Sequence, residues 1–530
     1  MNTLQRWSRE IVGARVANHN SLVYAHRPKS LSELLVDARR WVDRTVLVEG
    51  ELRLTNREFE LAVSRTAYFL AARGIVRGDR VMLLSYNRLE WMVSFWALQC
   101  LGAVAVLGSS MWSEAEIRSC VELIEPAMVI TDRASSVSIQ DAGRVIGMEE
   151  IRQVLGFDGP LLPLESAGDQ EDEPALIMFT SGTTGAPKGV VISHRSIIAN
   201  IQNLLVLTGR LPDQLSLSTA GTVSLLSMPL FHLGGIQICI LTLLTGGTLV
   251  LLEGRFDPVA ILKLIEKERV RVWGGVPTMV SRVVEHECFT EFDTSSVRSI
   301  PMGGAAISLE LRAKVQKAFP AIKKRVGSLY GMTEAGGVLA AGSSEDVAGR
   351  PGCVGRLLPV VEVQVVDADQ DEVGEIKVRT PTITSGYFRD PTPIVDSDGW
   401  LSTGDRGRVD PDGYLYILGR SKDIIIRGGE NIACAHVEHC LLQHEDVLEV
   451  AVLALPHPDL GEEVGAVVVI RSGTAVTVDA LRTHASGLLG RHEVPTRWWL
   501  RLEALPTNAT GKISKREVLD EWQKAECWTS

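Results

Sequence analysis

The chain has eight cysteines at irregular spacings and no Cys-x-x-Cys pair among them. That argues against a disulfide scaffold and for a reducing compartment. An excess of basic residues is missing too. Lysine and arginine number 54 against 65 acidic residues, a formal net charge of −11, so there is no overall electrostatic footprint for nucleic acid. Such a surface does not exclude ATP, because a local pocket can be positive while the whole is negative. The opening residues Met1-Asn2-Thr3-Leu4-Gln5-Arg6 lack the apolar core of a signal peptide. Long apolar runs are also scarce. The most apolar region, Leu225 to Leu252, is interrupted by Pro229, His232, Gln237 and two glycine pairs, whereas a membrane span needs about 20 predominantly apolar residues. The expectation is a cytoplasmic protein with no transmembrane segment. No internal repeat or low-complexity tract stands out.

What is present suits a globular chain of more than one core: 530 residues, 45% hydrophobic and 22% charged. In the first third, Phe59, Val63, Ala67 and Leu70 recur at near-helical spacing before Gly74. Strand-like Val81–Leu84, Ala103–Val106 and Ala127–Ile130 alternate with helices near Trp91–Leu101 and Ser113–Leu123. Such alternation predicts an α/β fold of mostly parallel sheets covered by helices. Acidic Gly168 to Pro174 reads as an exposed connector. From Val360 to Ile417 the texture changes to short strands with Asp-Gly turns at Asp398-Gly399 and Asp412-Gly413. After Arg420 a compact α+β segment follows, with helices near Val437–Leu442 and Val478–Leu489 and strands at Val447–Leu453, Val464–Ile470 and Trp498–Leu502. The domain boundary is placed at Gly419-Arg420-Ser421-Lys422.

One segment carries chemistry on its face. Ala175-Leu176-Ile177-Met178 reads as a buried strand ending in a loop, Phe179-Thr180-Ser181-Gly182-Thr183-Thr184-Gly185-Ala186-Pro187-Lys188-Gly189. Its glycines let backbone approach a ligand closely. Its hydroxyls and its lysine offer donors and a cation to phosphate oxygens. The order is not that of a Walker loop, because Lys188 stands between Pro187 and Gly189. A flexible surface loop would explain the glycine and serine but not the whole pattern.

This loop resembles the phosphate-binding signature of the AMP-forming adenylating enzymes: acyl-CoA and aryl-CoA ligases, peptide-synthetase adenylation domains and luciferases. The resemblance runs from about Leu54 to Val518 and rests on further motifs. Ser328-Leu329-Tyr330-Gly331-Met332-Thr333-Glu334 matches the family's second signature. By that likeness Tyr330 lies against adenine, Thr333 contacts the α-phosphate and Glu334 helps hold Mg²⁺; an aromatic face, a hydroxyl donor and a hard oxygen ligand suit those tasks. Gly303-Gly304-Ala305-Ala306 resembles the segment on which adenine packs, a simple tight turn being the plain alternative. Gly399-Trp400-Leu401-Ser402-Thr403-Gly404-Asp405 implies that Asp405 accepts from the ribose hydroxyls, with Arg420 as the second ribose contact.

The resemblance also divides the chain into a large N-terminal AMP-binding domain, residues 1–420, with a small β-barrel-like portion, and a small mobile C-terminal domain, residues 421–530. Leu505-Pro506-Thr507-Asn508-Ala509-Thr510-Gly511-Lys512 resembles the loop bearing the catalytic lysine, so Lys512 would bridge carboxylate and α-phosphate oxygens as charge develops. Lys422 takes the hinge position. After rotation, Gly428 and Gly429 would line a narrow passage for a pantetheine thiol. Phe231-His232 corresponds to the aromatic–His segment beside the acyl pocket. His232 either shapes the pocket and gates the thiol or is a satisfied core histidine; service as a general base is a weaker alternative. Cys434, His436, His439, Cys440 and His444 imitate a zinc set, but their spacing fits no zinc pattern. Cys434 and His436 replace the Pro and Glu of many relatives.

The implied enzyme is an ATP-dependent ligase. A small carboxylic acid and ATP give an acyl adenylate, and a thiol, CoA, then forms the thioester with release of AMP. Apolar residues near His232, with Ala335-Gly336-Gly337-Val338, suggest a fatty, alicyclic or aryl acid. Two rivals remain at this level: loading of an acyl group onto the phosphopantetheine of an acyl carrier protein, and a non-catalytic nucleotide-binding relative. Light-emitting oxidation is remote. The particular acid and the oligomeric state are not legible.

Overall fold

Two helices of the first third begin where a hydroxyl residue stands three positions before a glutamate. Thr55 accepts from the Glu58 amide while the Glu58 carboxylate accepts from the Thr55 amide, and Ser113 and Glu116 do the same. Each reciprocal pair satisfies amide groups that a helix start leaves without partners. The first helix, Asn56–Ala72, buries Phe59, Ala62, Val63, Ala67 and Leu70 along one stripe. The next, Leu89–Leu101, is buried from Leu89 through Gln99, as a helix enclosed within a large core must be.

The computed structural model describes residues 6–17, 19–132, 144–156, 159–164, 168–181, 187–322, 326–347, 349–350, 352–420, 423–428 and 430–525. They form the expected α/β architecture. A six-stranded sheet runs in the order Pro187–Ser193, Pro174–Ser181, Val104–Gly108, Arg80–Leu84, Met128–Thr131, Val145–Gly147. It is parallel except at its first pair. A five-stranded sheet orders Val272–Trp273, Val223–Leu226, Thr248–Leu251, Thr45–Glu49 and Leu52–Thr55. Its strands and those of the first sheet, with the helix Leu233–Leu244, share one large apolar core. The apolar stretch from Leu225 to Leu252 is thus a strand, a helix and a strand. Among the described residues no helix is long and apolar enough to cross a membrane.

The segment expected to be barrel-like is an eight-stranded, mainly antiparallel sheet. Its edges are Ile300–Gly303 and Glu362–Val366, with no pairing between them among the described residues. Its strand Tyr414–Arg420 ends just before residues 421–422. A separate C-terminal sheet then begins at Ile424–Arg427 and includes Val447–His457, Gly461–Ile470 and Arg497–Arg501. That sheet has its own cores, one closed by Trp498 and one by Val518 and Trp522, all fully buried. The last two lie on a helix, Lys515–Lys524, that sequence reading did not anticipate because its apolar residues are few.

A second departure concerns the acidic connector, which is not an exposed linker. Gln170 and Glu171 are buried. Glu171 pairs with Arg27, Lys29 and Arg195, and Arg195 also grips Asp172 at 2.7 and 2.8 Å. Three cations thereby offset the desolvation of one carboxylate and fix the chain just before it enters the strand Pro174–Ser181. Glu171→Ala leaves Arg27 and Arg195 enclosed with less counter-charge. It is expected to lower unfolding free energy by about 3 kcal/mol, measurable by urea denaturation of the full chain.

Candidate active site

The phosphate signature is a hairpin rather than a strand followed by a loop. The strand continues past Met178 to Ser181, and its antiparallel partner begins at Pro187, with Lys188 opposite Thr180 and Pro187 opposite Ser181. Pairing to the second strand carries the extended backbone three residues further than the apolar pattern indicated. Gly182, Thr183, Thr184 and Gly185 lie outside the described residues.

A segment that sequence reading missed stitches this hairpin to the rest of the site. Val191 donates to the Gly386 carbonyl at 2.9 Å, Ser385 donates to the Val191 carbonyl at 2.9 Å, and Phe388 donates to the Gly189 carbonyl at 2.7 Å. Tyr387 is thereby held beside Lys188, whose Nζ lies 4.9 Å from the ring centroid, an attractive cation–π placement. The Tyr387 hydroxyl donates to Glu334 Oε1 at 3.2 Å. Burial, and then the Glu334 charge, push the phenol up to about 12, so it stays a donor near neutrality. A lone tyrosine in a loop gives no periodicity or motif from which this link could be read.

Glu334 sits in a tight turn between the strands Val326–Met332 and Gly337–Gly342. Gly336 donates to the Thr333 carbonyl at 2.9 Å. The backbone amide and hydroxyl of Thr384 both reach the Glu334 carbonyl at 3.1 Å, and the Thr382 hydroxyl donates to the Ala335 carbonyl at 2.6 Å. Gly336 has φ +72°, and a Cβ there would lie 1.8 Å from the Thr382 carbonyl oxygen. Only glycine fits both demands. Thr333 and Glu334 are half-buried on this turn.

The ribose candidates come together on adjacent strands. Asp405 and Arg420 face each other in the antiparallel pair Leu401–Val409 and Tyr414–Arg420. Asp405, 5% exposed, accepts from the Tyr330 hydroxyl at 2.5 Å and from Arg420 Nε at 3.2 Å. Tyr330 thus presents its ring from a position fixed at both ends, with Gly331 following it in the strand. Burial and the Asp405 charge raise the Tyr330 phenol above its ordinary range, so the hydroxyl keeps its proton.

Lys512 enters this cluster from the C-terminal sheet's side. Its loop is folded around Asn508, whose Oδ1 accepts from the Thr510 amide at 3.0 Å, the Thr510 hydroxyl at 2.6 Å and the Lys512 amide at 3.1 Å. Lys512 reaches Gly304 so closely that a Cβ on Gly304 would meet its Cε at 2.8 Å. Ala305 follows on the same exposed edge. Burial lowers the ammonium below its usual range and the Arg420 cation adds to this, while Glu334 and Asp405 oppose both.

His232 caps the helix Leu233–Leu244, its ring 4.8 Å from that of Phe231. Its Nε2 is buried with no hydrogen-bond partner among the described residues. Burial, then the Lys512 cation, push the imidazole down to about 3, so it is neutral and a weak proton acceptor. Phe231, Ile236 and Ile240 beside it are buried and apolar.

The structure therefore gathers Lys188, Tyr330, Glu334, Asp405, Arg420, Lys512 and His232, with Gly304 against the lysine. It does not bring Gly428 to them: Gly428 donates to the Leu460 carbonyl at 2.9 Å within the C-terminal sheet. Lys422 and Gly429 lie outside the described residues. A magnesium ion commonly takes one or two carboxylates and completes its shell with phosphate oxygens and water. The lone Glu334 carboxylate, oriented by Tyr387, is a donor set that fits. The Cys434 cluster does not converge on a metal geometry. Cys434 and Cys440 are 4% exposed in the core with Val437 and Leu441, His436 is directed at Glu493, 4.0 Å away, and no cluster of three potential metal ligands occurs among the described residues.

Comparison with known proteins bears on the family and the fold. The family described as AMP-binding enzyme matches residues 34–388, and its C-terminal domain matches residues 436–512. A feruloyl-CoA synthase from Amycolatopsis sp is 34% identical over 86% of this chain and 92% of its own length. A 4-coumarate–CoA ligase from Oryza sativa subsp. japonica is 31% identical over 86% and 87%. The structure of o-succinylbenzoate CoA synthetase from Bacillus subtilis with its acyl-adenylate intermediate superposes with a TM-score of 0.78 at 27% identity, covering 92% of this chain and 97% of that one.

The Tyr387 link has a separable test. Tyr387→Phe removes only the hydroxyl on Glu334 and is expected to weaken magnesium-dependent ATP binding about tenfold. Tyr387→Leu also removes the ring beneath Lys188 and should lose a further roughly twofold to fivefold. Titration calorimetry with ATP at varied magnesium concentration reads both; equal affinities for all three proteins would break the link.

Proposed function

The chain belongs to the AMP-binding enzyme family, and we propose that it joins an apolar carboxylic acid to CoA at the expense of ATP. In the first half-reaction a carboxylate oxygen attacks the α-phosphorus. The new O–P bond forms as the bond to the β-phosphate oxygen breaks, leaving an acyl adenylate and pyrophosphate. In the second, the CoA sulfur attacks the acyl carbon, the C–O bond to AMP breaks, and the thiol proton is released.

The observation that carries this reading is the placement of Lys512. A half-buried ammonium beside Gly304, within the fields of Glu334, Asp405 and Arg420, is suited to offset charge developing between a carboxylate and an α-phosphate. Asp405 and Arg420 would orient the ribose, Tyr330 the base, Thr333 the α-phosphate, and Lys188 with Thr180 to Gly185 the outer phosphates. Bound at Glu334, Mg²⁺ supplies Lewis-acid neutralisation of phosphate charge. His232, neutral and with an unsatisfied Nε2, acts by shape and hydrogen bonding rather than by taking a proton. The apolar wall of Phe231, Ile236 and Ile240 favours a fatty, alicyclic or aryl acid over one with a second charge. CoA is chosen as the thiol because the relatives above are CoA ligases by name.

For the second step we place the domain boundary at residues 420 and 421, with Lys422 as the pivot and Gly428 and Gly429 lining the thiol's path. A panel of fatty, alicyclic and aryl acids with ATP and magnesium, monitored by pyrophosphate release, tests the first half-reaction. CoA against a holo carrier protein tests the acceptor. Lys512→Ala is expected to slow acid-dependent ATP–pyrophosphate exchange by roughly 100- to 1,000-fold while sparing thioester synthesis from a supplied adenylate. Equal losses in the two half-reactions would refute that division of roles.

A further inference from the structure

The helix Pro277–Val284 carries a polar face with no part in the chemistry described so far. Thr278, Arg282 and the capping residue Glu285 follow one another at helical spacing and therefore share one side. All three reach across to the C-terminal unit. The Thr278 hydroxyl donates to the Gly511 carbonyl. Arg282 donates from Nε to Glu449 at 2.8 Å, and from its second terminal nitrogen to Glu449 at 3.3 Å and to the Leu505 carbonyl at 3.1 Å. Glu285 pairs with Arg471 at 2.9 Å, and with Lys314 of its own unit at 2.6 Å. Burial works against the Glu285 carboxylate, yet Lys314 and Arg471 hold it below its usual value.

Leu505 opens the loop that bears Lys512, and Gly511 immediately precedes that lysine. The helix thus holds the loop at its start and next to Lys512, and Asn508 braces the stretch between. Gly511 also touches the helix directly. It has φ +77°, and a Cβ there would meet Met279 Cε at 2.8 Å and Val276 Cγ2 at 3.1 Å. Glu449, 7% exposed, uses its remaining capacity on the Leu505 amide at 2.7 Å. Among the described residues its one ion-pair partner is Arg282.

We propose that the helix Pro277–Val284 is the dock that positions Lys512 for adenylation, and that the Arg282–Glu449 pair is the latch whose opening permits the thiol step. The inference rests on the two-step reading above. Arg282 is a positioning residue: it acts through the loop and does not touch the reacting atoms. An ion pair enclosed at the boundary makes docking specific, because separating the units by a small misalignment leaves two partly desolvated charges unmatched.

Arg282→Met removes the charge and three hydrogen bonds while keeping much of the side-chain length. Acid-dependent ATP–pyrophosphate exchange is expected to fall about tenfold in kcat through misplacement of Lys512, with the KM for ATP changed by less than about twofold. Thioester formation from a supplied acyl adenylate should be unchanged or faster. Independently of turnover, acetylation of Lys512 by an N-hydroxysuccinimide ester, followed by peptide mass spectrometry, should speed up by about fivefold as the lysine spends more time undocked. Exposed Lys263 serves as the internal reference. Glu449→Gln, which keeps an acceptor for the Leu505 amide, is the second variant should Arg282→Met fail to fold. Wild-type exchange with unaltered Lys512 reactivity, or equal losses in both half-reactions, would overturn the proposal. If the wild-type protein makes adenylate but no CoA thioester, the acceptor assignment fails, while exchange and lysine reactivity still decide the dock.

Discussion

The site turns on bringing a desolvated ammonium, that of Lys512, to a place already occupied by charge. Burial and Arg420 both oppose the cation, and only Glu334 and Asp405 favour it. Asp405 is itself engaged by Tyr330 and Arg420, and Glu334 by Tyr387. Among the described residues no carboxylate is thus dedicated to the lysine. Such an arrangement leaves the ammonium under-compensated, so an anionic ligand at the same point gains more from it than it would from a lysine already locked in an ion pair. The glycine at position 304, the braced loop around Asn508 and the grip of the helix Pro277–Val284 all serve this one placement.

Neutral groups around the cation matter for the same reason. A protonated His232 next to Lys512 would add a second positive charge in a half-buried space where water screens it only in part. Burial and the lysine together keep the imidazole neutral, and its Nε2, without a partner among the described residues, is a polar handle beside apolar Phe231, Ile236 and Ile240. Tyr330 and Tyr387 are likewise held as donors by burial and neighbouring carboxylates. Tyr330, Tyr387 and His232 therefore keep one protonation state across the neutral range, which leaves position rather than titration as their variable.

Much of this was legible in the sequence, and the reason is local chemistry. The helix carrying Phe59, Val63, Ala67 and Leu70, the helix near Ser113–Leu123, the parallel strands and the Asp-Gly turns depend on residues close in sequence. The site motifs containing Tyr330, Glu334, Asp405 and Lys512 are compact, with distinctive residue order. What escaped depends on distant partners. The strand Pro174–Ser181 outlasts its apolar pattern because Pro187–Ser193 pairs with it. Acidic Glu171 is buried because Arg27 and Arg195 arrive from two other parts of the chain. Tyr387 joins Lys188 to Glu334 through contacts no spacing rule encodes, and the polar side of Pro277–Val284 looks from sequence like any solvated helix face.

The chemistry of that last face follows from what a temporary contact requires. Met279, Val280 and Val283 are buried, and the last two belong to the core of the helix's own unit. The polar groups given to the C-terminal unit are Thr278, Arg282 and Glu285, with Met279 and Val276 packing beside them against Gly511. A broad apolar contact would hold Lys512 as firmly, but its free energy would be lost with nothing in return on separation. Hydroxyl, guanidinium and carboxylate groups instead exchange protein partners for water when they part, so the net difference between docked and undocked states stays small. Boundaries between units that move are typically smaller and more polar than permanent ones for this reason. An enzyme that must present its lysine for one half-reaction and withdraw it for the next needs a contact that is specific in geometry but modest in net strength, and a polar helix face supplies both.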